Sequence, residues 1–409
     1  MTQNRRSVCF IGTHLIRVKY QAESAVGQMR ICHFCFSLDP SRGGVSSGVI
    51  TTVKQLTKHR ITNQIVSTGI TRNQMEQNSK ILSDLKSIGV EYIGTVARFK
   101  NDYGLGTLKG LKKRLDNLSK PDLVVLHQIY TFSTLLGYMY AKKNRIPYVV
   151  QPHGSLTKYH ESDSKLIKTL AKWVLISKIL READAIIVTC ESERADLISS
   201  LKPKAHKFNY GAVVNRPLDE AVRRLPSGNQ NMRIVFSGRF DKKKNLPLVI
   251  KAMPQILDRY PDLILDIAGS GTTNEVRILQ KLVSTLELES NVKFHGWIDS
   301  SKMQEIFAAA RLLVLPSENE NFALVVAEAL SAGVPCVVSK FVGTAEIVAK
   351  HNAGEVIDEL TAASVAEGIM NVLRGDEMKY REAAFEAVEN SLDWSKIALQ
   401  WRVLVTSLA

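Results

Sequence analysis

Wholly apolar runs of strand length, spaced by stretches long enough for a helix, constrain this chain more than any other feature. Leu123–Leu126, Ala185–Val188 and Leu312–Leu315 carry no polar side chain. A strand that is apolar on both faces must be covered on both. Strands that alternate with helices assemble into parallel sheets with helices above and below. The same spacing recurs at Met29–Phe36, Ile61–Val66 and Pro147–Val150, and again at Arg233–Ser237, Leu263–Ala268, Val292–Phe294 and Cys336–Val338. Residues 214–231, with Pro217, Pro226 and Gly228, break the series and predict a linker. The expected fold is α/β, with doubly wound parallel-sheet domains over 29–213 and 214–391 and a last helix over 392–409. Residues 1–28 precede the first strand; either they form an extra segment or the natural start is Met29.

A chain of 409 residues is long enough for two or three domains, each with its own core. Its 45% apolar and 23% charged content is that of a soluble globular protein. No apolar run approaches the roughly 20 residues of a membrane span. The start is basic and then apolar, but His14, Arg17 and Lys19 follow too soon for a signal peptide. Cys32-His33-Phe34-Cys35 has metal-like spacing inside a strand-like run, yet no second Cys/His pair lies at zinc-site distance. Five scattered cysteines fit a reducing compartment. Residues 1–214 hold 32 Lys and Arg against 15 Asp and Glu, a net +17, whereas the remainder sums to −3. Such a basic half attracts an anionic membrane surface, an acidic substrate or nucleic acid. No zinc finger, RNA-binding aromatic motif or Arg-rich tail supports nucleic acid, so no nucleic-acid partner is expected.

Chemistry concentrates where predicted strands end. After Leu312–Leu315 a polar turn leads to a helix predicted over about Phe322–Ala332, which puts Glu320 at the helix mouth and Glu328 about two turns inside. In open α/β sheets that mouth lies at the carboxyl end of the strand, where ligands bind. A carboxylate there can accept hydrogen bonds from sugar hydroxyls. An N-cap carboxylate followed by an exposed helical Glu is the plain alternative. After Arg233–Ser237, Gly238 permits a tight turn, and Arg239 and Lys244 offer strong donors as the next helix begins. An Arg fork and a Lys point charge suit a pyrophosphate. Lys242 and Lys243 read equally as a solvated charge run. Gly269-Ser270-Gly271 and Gly296-Trp297 end two further strands and are by themselves ordinary turns.

The segment Glu320–Ser339 resembles the donor-site signature of retaining glycosyltransferase family 4, group 1: two Glu separated by seven residues, a small-residue turn, then Val334-Pro335 and a strand. Ser237–Leu246 is similar to the phosphate motif of the same family. The resemblance covers about residues 29–409. It implies the GT-B architecture, two doubly wound domains facing a cleft, with the last helix crossing back to the first domain. It implies a hexosyltransferase type of enzyme that needs no bound metal and no cofactor, the nucleotide sugar being a substrate. Arg239 and Lys244 are then expected on the diphosphate, with Gly238 in their turn and Gly271 at its border. The Gly296–Ile298 backbone, with Trp297, is expected near the base, and Glu328 on the ribose. Glu320 is expected on the transferred sugar, with backbone N–H groups of Phe322, Ala323 and Leu324 beside it. The family commonly has Gly on either side of the Phe, where this chain has Asn321 and Ala323. The other class considered is a nucleotide-sugar epimerase of the same fold, or a non-catalytic assembly subunit.

In the first half, Arg42-Gly43-Gly44-Val45 lies between the first strand and a helix expected from about Ser47, where glycines allow close backbone approach to a ligand. Pro152-His153-Gly154 ends another strand. A lone His is usually structural; the resemblance implies that His153 hydrogen-bonds the donor sugar and is not a nucleophile. Lys158–Leu180 interleaves apolar residues with lysines, and Lys165, Lys168 and Lys172 share one helical face near Trp173. Such a helix either packs on its own domain or lies on a membrane surface. The whole reads as a cytoplasmic enzyme, peripheral on the inner face of the plasma membrane. It would use a glycan or lipid-linked acceptor in surface polysaccharide synthesis.

Overall fold

Every strand described is parallel to its neighbours, in two separate sheets. The computed structural model describes residues 29–40, 43–70, 79–96, 111–156, 169–212 and 232–408. The chain divides into one unit up to Phe208 that also takes Trp394–Ala409, and a second from Asn209 to Asp393. Residues 1–28, Arg42, the expected linker 214–231, Lys165 and Lys168 lie outside the described residues.

In the first unit the elements are β1 (Arg30–Cys35), α1 (Gly44–Lys58), β2 (Thr62–Ile70), α2 (Ser79–Ser87), β3 (Glu91–Val96), α3 (Leu111–Asp116), β4 (Leu123–His127), α4 (Phe132–Asn144), β5 (Tyr148–Gln151), α5 (Thr169–Glu182), β6 (Ala185–Val188), α6 (Glu191–Asp196) and β7 (Ala205–Lys207). The strand order is β3-β2-β1-β4-β5-β6-β7. Winding runs outward from β1 to β3, then β4 returns beside β1, so the order reverses between β1 and β4. One face of the sheet (Cys32, Phe34, Val124, Leu126, Val150) packs under Tyr138, Tyr140, Ile179 and Leu180 from α4 and α5. On the other face, Ile31, Leu123, Val125, Val149 and Ile187 are covered by Trp394, Ile397, Trp401 and Leu404. These last four lie on the C-terminal helix, Trp394–Leu408. Burying each such large apolar side chain is worth roughly 1.5–3 kcal/mol, which fixes this helix to the first unit.

The second unit holds β8 (Arg233–Ser237), α7 (Leu246–Leu257), β9 (Ile264–Ala268), α8 (Thr273–Thr285), β10 (Val292–Gly296), α9 (Ser300–Ala309), β11 (Leu312–Leu315), α10 (Leu324–Ser331), β12 (Cys336–Ser339), α11 (Ala345–His351), β13 (Gly354–Ile357), α12 (Ala362–Arg374) and α13 (Glu377–Ala387). Its order, β10-β9-β8-β11-β12-β13, reverses between β8 and β11, where Ile234 pairs with Leu312 and Val235 with Leu313. Arg381 of α13 is buried and donates to the carbonyls of Gly333 and Ala310, each at 3.3 Å, so one side chain holds both the entry to β11 and the exit from α10.

The apolar runs located the central strands but not β3, β7 or β13. All three are sheet edges. An edge strand needs no continuous apolar run, and Glu91, His206 and Glu355 in these segments hide the pattern. Helix α1 begins at Gly44, earlier than the expected Ser47, because Gly43 turns the chain at φ 116.

Candidate active site

The residues of interest lie at the carboxyl ends of strands at or near each reversal, where ligands bind in such sheets. In the second unit, Lys244 ends the turn after β8 and Glu320 lies in the turn after β11. Their side chains meet at 2.7 Å, Nζ to Oε1, with 12% and 15% of each exposed. The ammonium approaches off the hydrogen-bonding direction, so Oε1 is held by charge and not by a directed bond. Two backbone ties join the same turns: Glu318 N–H donates to the Lys243 carbonyl at 2.7 Å, and Asn245 Nδ2 donates to the Pro316 carbonyl at 3.1 Å. The Lys244 chain lies across Gly238, whose φ of 156 disfavours any side chain there.

Glu320 is fixed from a third side. Its N–H donates to the Phe341 carbonyl at 3.1 Å, and its carbonyl accepts from Gly343 N–H at 2.8 Å. Ser339 Oγ donates to the Ser317 carbonyl beneath it. This 339–343 loop was not legible in the sequence as part of the site; the only available signal was its place after β12 at the same sheet end.

The expected helix start is corrected by the structure. Helix α10 begins at Leu324, not Phe322, since Ala323 sits at φ 63, outside helical space. Glu328 is therefore about one turn inside the helix, not two. Its side chain is exposed to solvent, yet surrounding protein pushes its carboxyl up to about 7 by desolvation. The surface exposure tempers that shift, and its upward direction stands. Phe322 is buried edge-on against Tyr210, ring centroids 5.4 Å apart, so it anchors the turn through packing.

Arg239 is not drawn to Lys244. Its exposed guanidinium rests 3.8 Å from Asp241. The glycine turns are stitched together: Gly238 N–H donates to the Ala268 carbonyl at 3.0 Å, Phe240 N–H to Ser270 at 2.9 Å and Gly269 N–H to Gly296 at 2.8 Å. A Cβ at Gly271 would meet Phe240 at 2.9 Å, whereas Gly296, at φ 69, has open space around it. Trp297 beside it is 67% exposed.

In the first unit, the turn after β5 puts His153 at φ 55 and Gly154 at φ 79, two successive left-handed residues. A buried carboxylate holds this turn. Glu193 Oε1 accepts from Gly154 N–H at 2.6 Å, and Oε2 accepts from Thr189 N–H at 2.8 Å. Glu193 was not singled out in the sequence, and it is 1% exposed. The His153 ring turns toward β4: its Nε2 lies 2.9 Å from His127 Nδ1, and His127 Nε2 lies 3.0 Å from His33 Nδ1. Burial lowers all three, His33 to about 4 and His153 to about 3, so they are neutral at ordinary pH. Gly43 and Gly44 have open space around them at the start of α1. Cys32 and Cys35 are buried thiols of β1. Among the described residues no group of three or more His, Cys, Asp or Glu has the arrangement of a metal site.

Of the amphipathic stretch, α5 is described from Thr169, and Leu175, Ile176, Ile179 and Leu180 pack on the first core, as the packing alternative anticipates. Val174 is 56% exposed. The side chains of Lys172 and Trp173 lie outside the described residues. Among the described residues no helix is long and apolar enough to cross a membrane.

Two doubly wound sheets, each with a reversal point and with charged groups at the carboxyl strand ends, are the setting in which α/β enzymes bind their ligands. Residues 219–389 match the model for glycosyl transferases group 1, and residues 42–208 match that for glycosyltransferase family 4. The chain belongs to this glycosyltransferase family and is a transferase. The D-inositol 3-phosphate glycosyltransferase of Corynebacterium glutamicum (strain R) is 24% identical over 379 residues, 88% of this chain and 90% of that one. The phosphatidyl-myo-inositol mannosyltransferase of Mycobacterium tuberculosis is 26% identical over 322 residues, 77% and 80% of the two chains. Among solved structures, Anabaena Alr3699/HepE in complex with UDP and glucose superposes with a TM-score of 0.69 at 19% identity, covering 93% of this chain and all of that one. The fold is thus GT-B.

Proposed function

We propose that this glycosyltransferase moves a hexose-type sugar from a nucleotide-sugar donor to a hydroxyl of a glycan or lipid-linked acceptor, with retention at the anomeric carbon, in surface polysaccharide synthesis. The observation that carries the donor half is the meeting of Lys244 and Glu320 at the reversal between β8 and β11. An ammonium has three donors, so Lys244 can keep Glu320 and still reach a phosphate oxygen. Arg239, exposed on the same turn beside Asp241, reaches the diphosphate in this reading. Glu320 then faces the transferred sugar, and Glu328 accepts from the ribose hydroxyls. The Gly43-Gly44 turn and His153 serve sugar and acceptor recognition.

The sugar's bond to the diphosphate oxygen breaks and its bond to the acceptor oxygen forms on the same face. The acceptor proton passes to the departing diphosphate. No protein nucleophile is required. Arg239 and Lys244 neutralise the leaving charge, so the reading calls for neither a metal nor a cofactor. Solved neighbours hold UDP and UDP-glucose, which supports a nucleotide-sugar donor. The basic first half supports an acceptor at the anionic inner face of the plasma membrane, with the enzyme cytoplasmic and peripheral. A screen of nucleotide sugars for binding and hydrolysis, followed by anomer-resolved analysis of the product, tests the proposal. Inversion, or no nucleotide sugar turned over, would remove it.

A further inference from the structure

The three-histidine row in the first unit has a defined direction. At its inner end, Asn63 Nδ2 donates to the Ile61 carbonyl at 2.7 Å and to Thr57 Oγ1 at 3.0 Å. A carbonyl only accepts, so the amide nitrogen must lie on that side and Oδ1 must face the histidine. Oδ1 lies 3.1 Å from His33 Nε2, which must therefore carry the hydrogen. A neutral ring then has its lone pair on Nδ1, and this accepts from His127 Nε2–H at 3.0 Å. By the same step His127 Nδ1 is a lone pair and accepts from His153 Nε2–H at 2.9 Å.

The ring geometry agrees with hydrogen bonds and not with face stacking. The planes are inclined by only 17° and 24°, while the centroids stand 5.3 and 5.2 Å apart, about one ring width more than the nitrogen separations. The rings thus meet edge to edge. Sheet register makes this possible. Asn63 of β2 pairs with Ile31, and His33 pairs with Val125 two residues before His127. Ile31 and Val125 face the C-terminal helix, whose Trp401 stands edge-on to His33 at 6.5 Å. Alternation along each strand puts Asn63, His33 and His127 on that same face.

We propose that Asn63, His33 and His127 form a tautomer lock that holds His153 as the Nε2–H form, so that its Nδ1 is a hydrogen-bond acceptor and the substrate group it recognises is a hydroxyl. The last clause rests on the glycosyl-transfer reading above; the lock itself does not. The row is not a proton wire. It ends on an amide oxygen, which is not a base, so a proton entering at His153 has no exit through Asn63. Asn63, His33 and His127 are positioning residues: they act through His153. The lock excludes from the His153 subsite groups that only accept, such as a carboxylate or phosphate oxygen. It favours a neutral hydroxyl-bearing sugar.

The test is a long-range proton–nitrogen correlation spectrum of the ligand-free full chain, labelled with ¹⁵N at histidine and assigned by single substitutions. His153 is expected as a neutral Nε2–H ring, with a pyridine-type Nδ1, unchanged from pH 5 to 8. In His127→Leu the tautomers of His153 are expected to mix. In His127→Gln the single form returns, since a Gln amide can accept from His153 and donate to His33. Asn63→Leu offers a second break in the row if His127→Leu does not fold. A wild-type His153 that is cationic or Nδ1–H overturns the lock, as does an unchanged His153 spectrum in both Leu variants. An intact lock in a protein that turns over no nucleotide sugar removes the proposed function alone.

Discussion

Lys244 and Glu320 stand on different turns of the second unit, 2.7 Å apart and mostly buried, so each offsets the other's charge. Removing Lys244 therefore does two things. It takes a cation from the diphosphate, and it leaves a carboxylate poorly solvated. Arg239, exposed beside Asp241, has only the first role. Lys244→Ala and Arg239→Ala are each expected to weaken nucleoside diphosphate binding by roughly 1.5–3 kcal/mol, about ten- to a hundredfold. Only Lys244→Ala should also lower the melting temperature. Calorimetric titration and thermal unfolding separate the two effects. Equal stability loss in both variants would contradict the geometry.

Glu328 makes donor binding depend on pH. Its carboxyl is raised above the ordinary carboxylate range by desolvation. The ribose hydroxyls need the ionised form as acceptor, so affinity for an intact nucleotide sugar should rise as pH increases from 6 to 8. An intact nucleotide sugar is the correct probe, because a free terminal phosphate titrates near pH 6 itself. Glu328→Gln should weaken binding and flatten that dependence. The sign for stability is opposite. The folded state holds a proton that the unfolded chain releases, so this group's contribution is greatest below about pH 4.5 and declines as pH approaches 7. Glu320→Gln, in contrast, should lower turnover while leaving diphosphate affinity nearly intact. A flat binding profile in the wild type would detach Glu328 from the ribose.

Ala323 occupies a backbone conformation that glycine adopts freely. At φ 63 it caps the start of α10 in the left-handed region, where a Cβ costs roughly 1–2 kcal/mol. Glycine gives back part of that gain through its freer unfolded chain. Ala323→Gly is expected to stabilise the protein by roughly 0.5–1 kcal/mol, and Ala323→Val to destabilise it, both read from chemical denaturation. Loss of stability in the glycine variant would show that the Ala323 methyl, 8% exposed among core residues, matters more through packing.

Much of this molecule was legible in its sequence for a definite reason. Central parallel strands must be apolar on both faces, so Leu123–Leu126 and Leu312–Leu315 announce themselves. The placement of Lys244 and Glu320 just beyond strand ends was legible because the apolar runs of β8 and β11 mark where those strands stop. What escaped was what local pattern does not encode. Edge strand β13 is half-buried and carries Glu355. Glu193 looks like a surface residue of a short helix, and only the fold brings it under Gly154. The histidine row joins residues 94 and 26 positions apart, and no window along the chain contains it.

The membrane expectation now rests on fewer residues. From Leu175 onward the apolar side of α5 is spent on its own core. Lys178 pairs with Glu182 at 3.9 Å, and Lys142 reaches the same carboxylate at 3.0 Å. The docking charge expected on this stretch is that of Lys165, Lys168 and Lys172, whose side chains lie outside the described residues. Each lysine near an anionic bilayer is worth on the order of 1 kcal/mol, screened by salt, so three could hold the enzyme reversibly without an anchor. The protein is expected to sediment with anionic vesicles at low salt, to release at high salt, and to ignore neutral vesicles. Changing all three lysines to Glu should abolish sedimentation while leaving nucleoside diphosphate affinity unchanged. Sedimentation that survives in the triple variant would assign the attraction to the wider +17 half. No sedimentation in the wild type would make a soluble glycan the better acceptor.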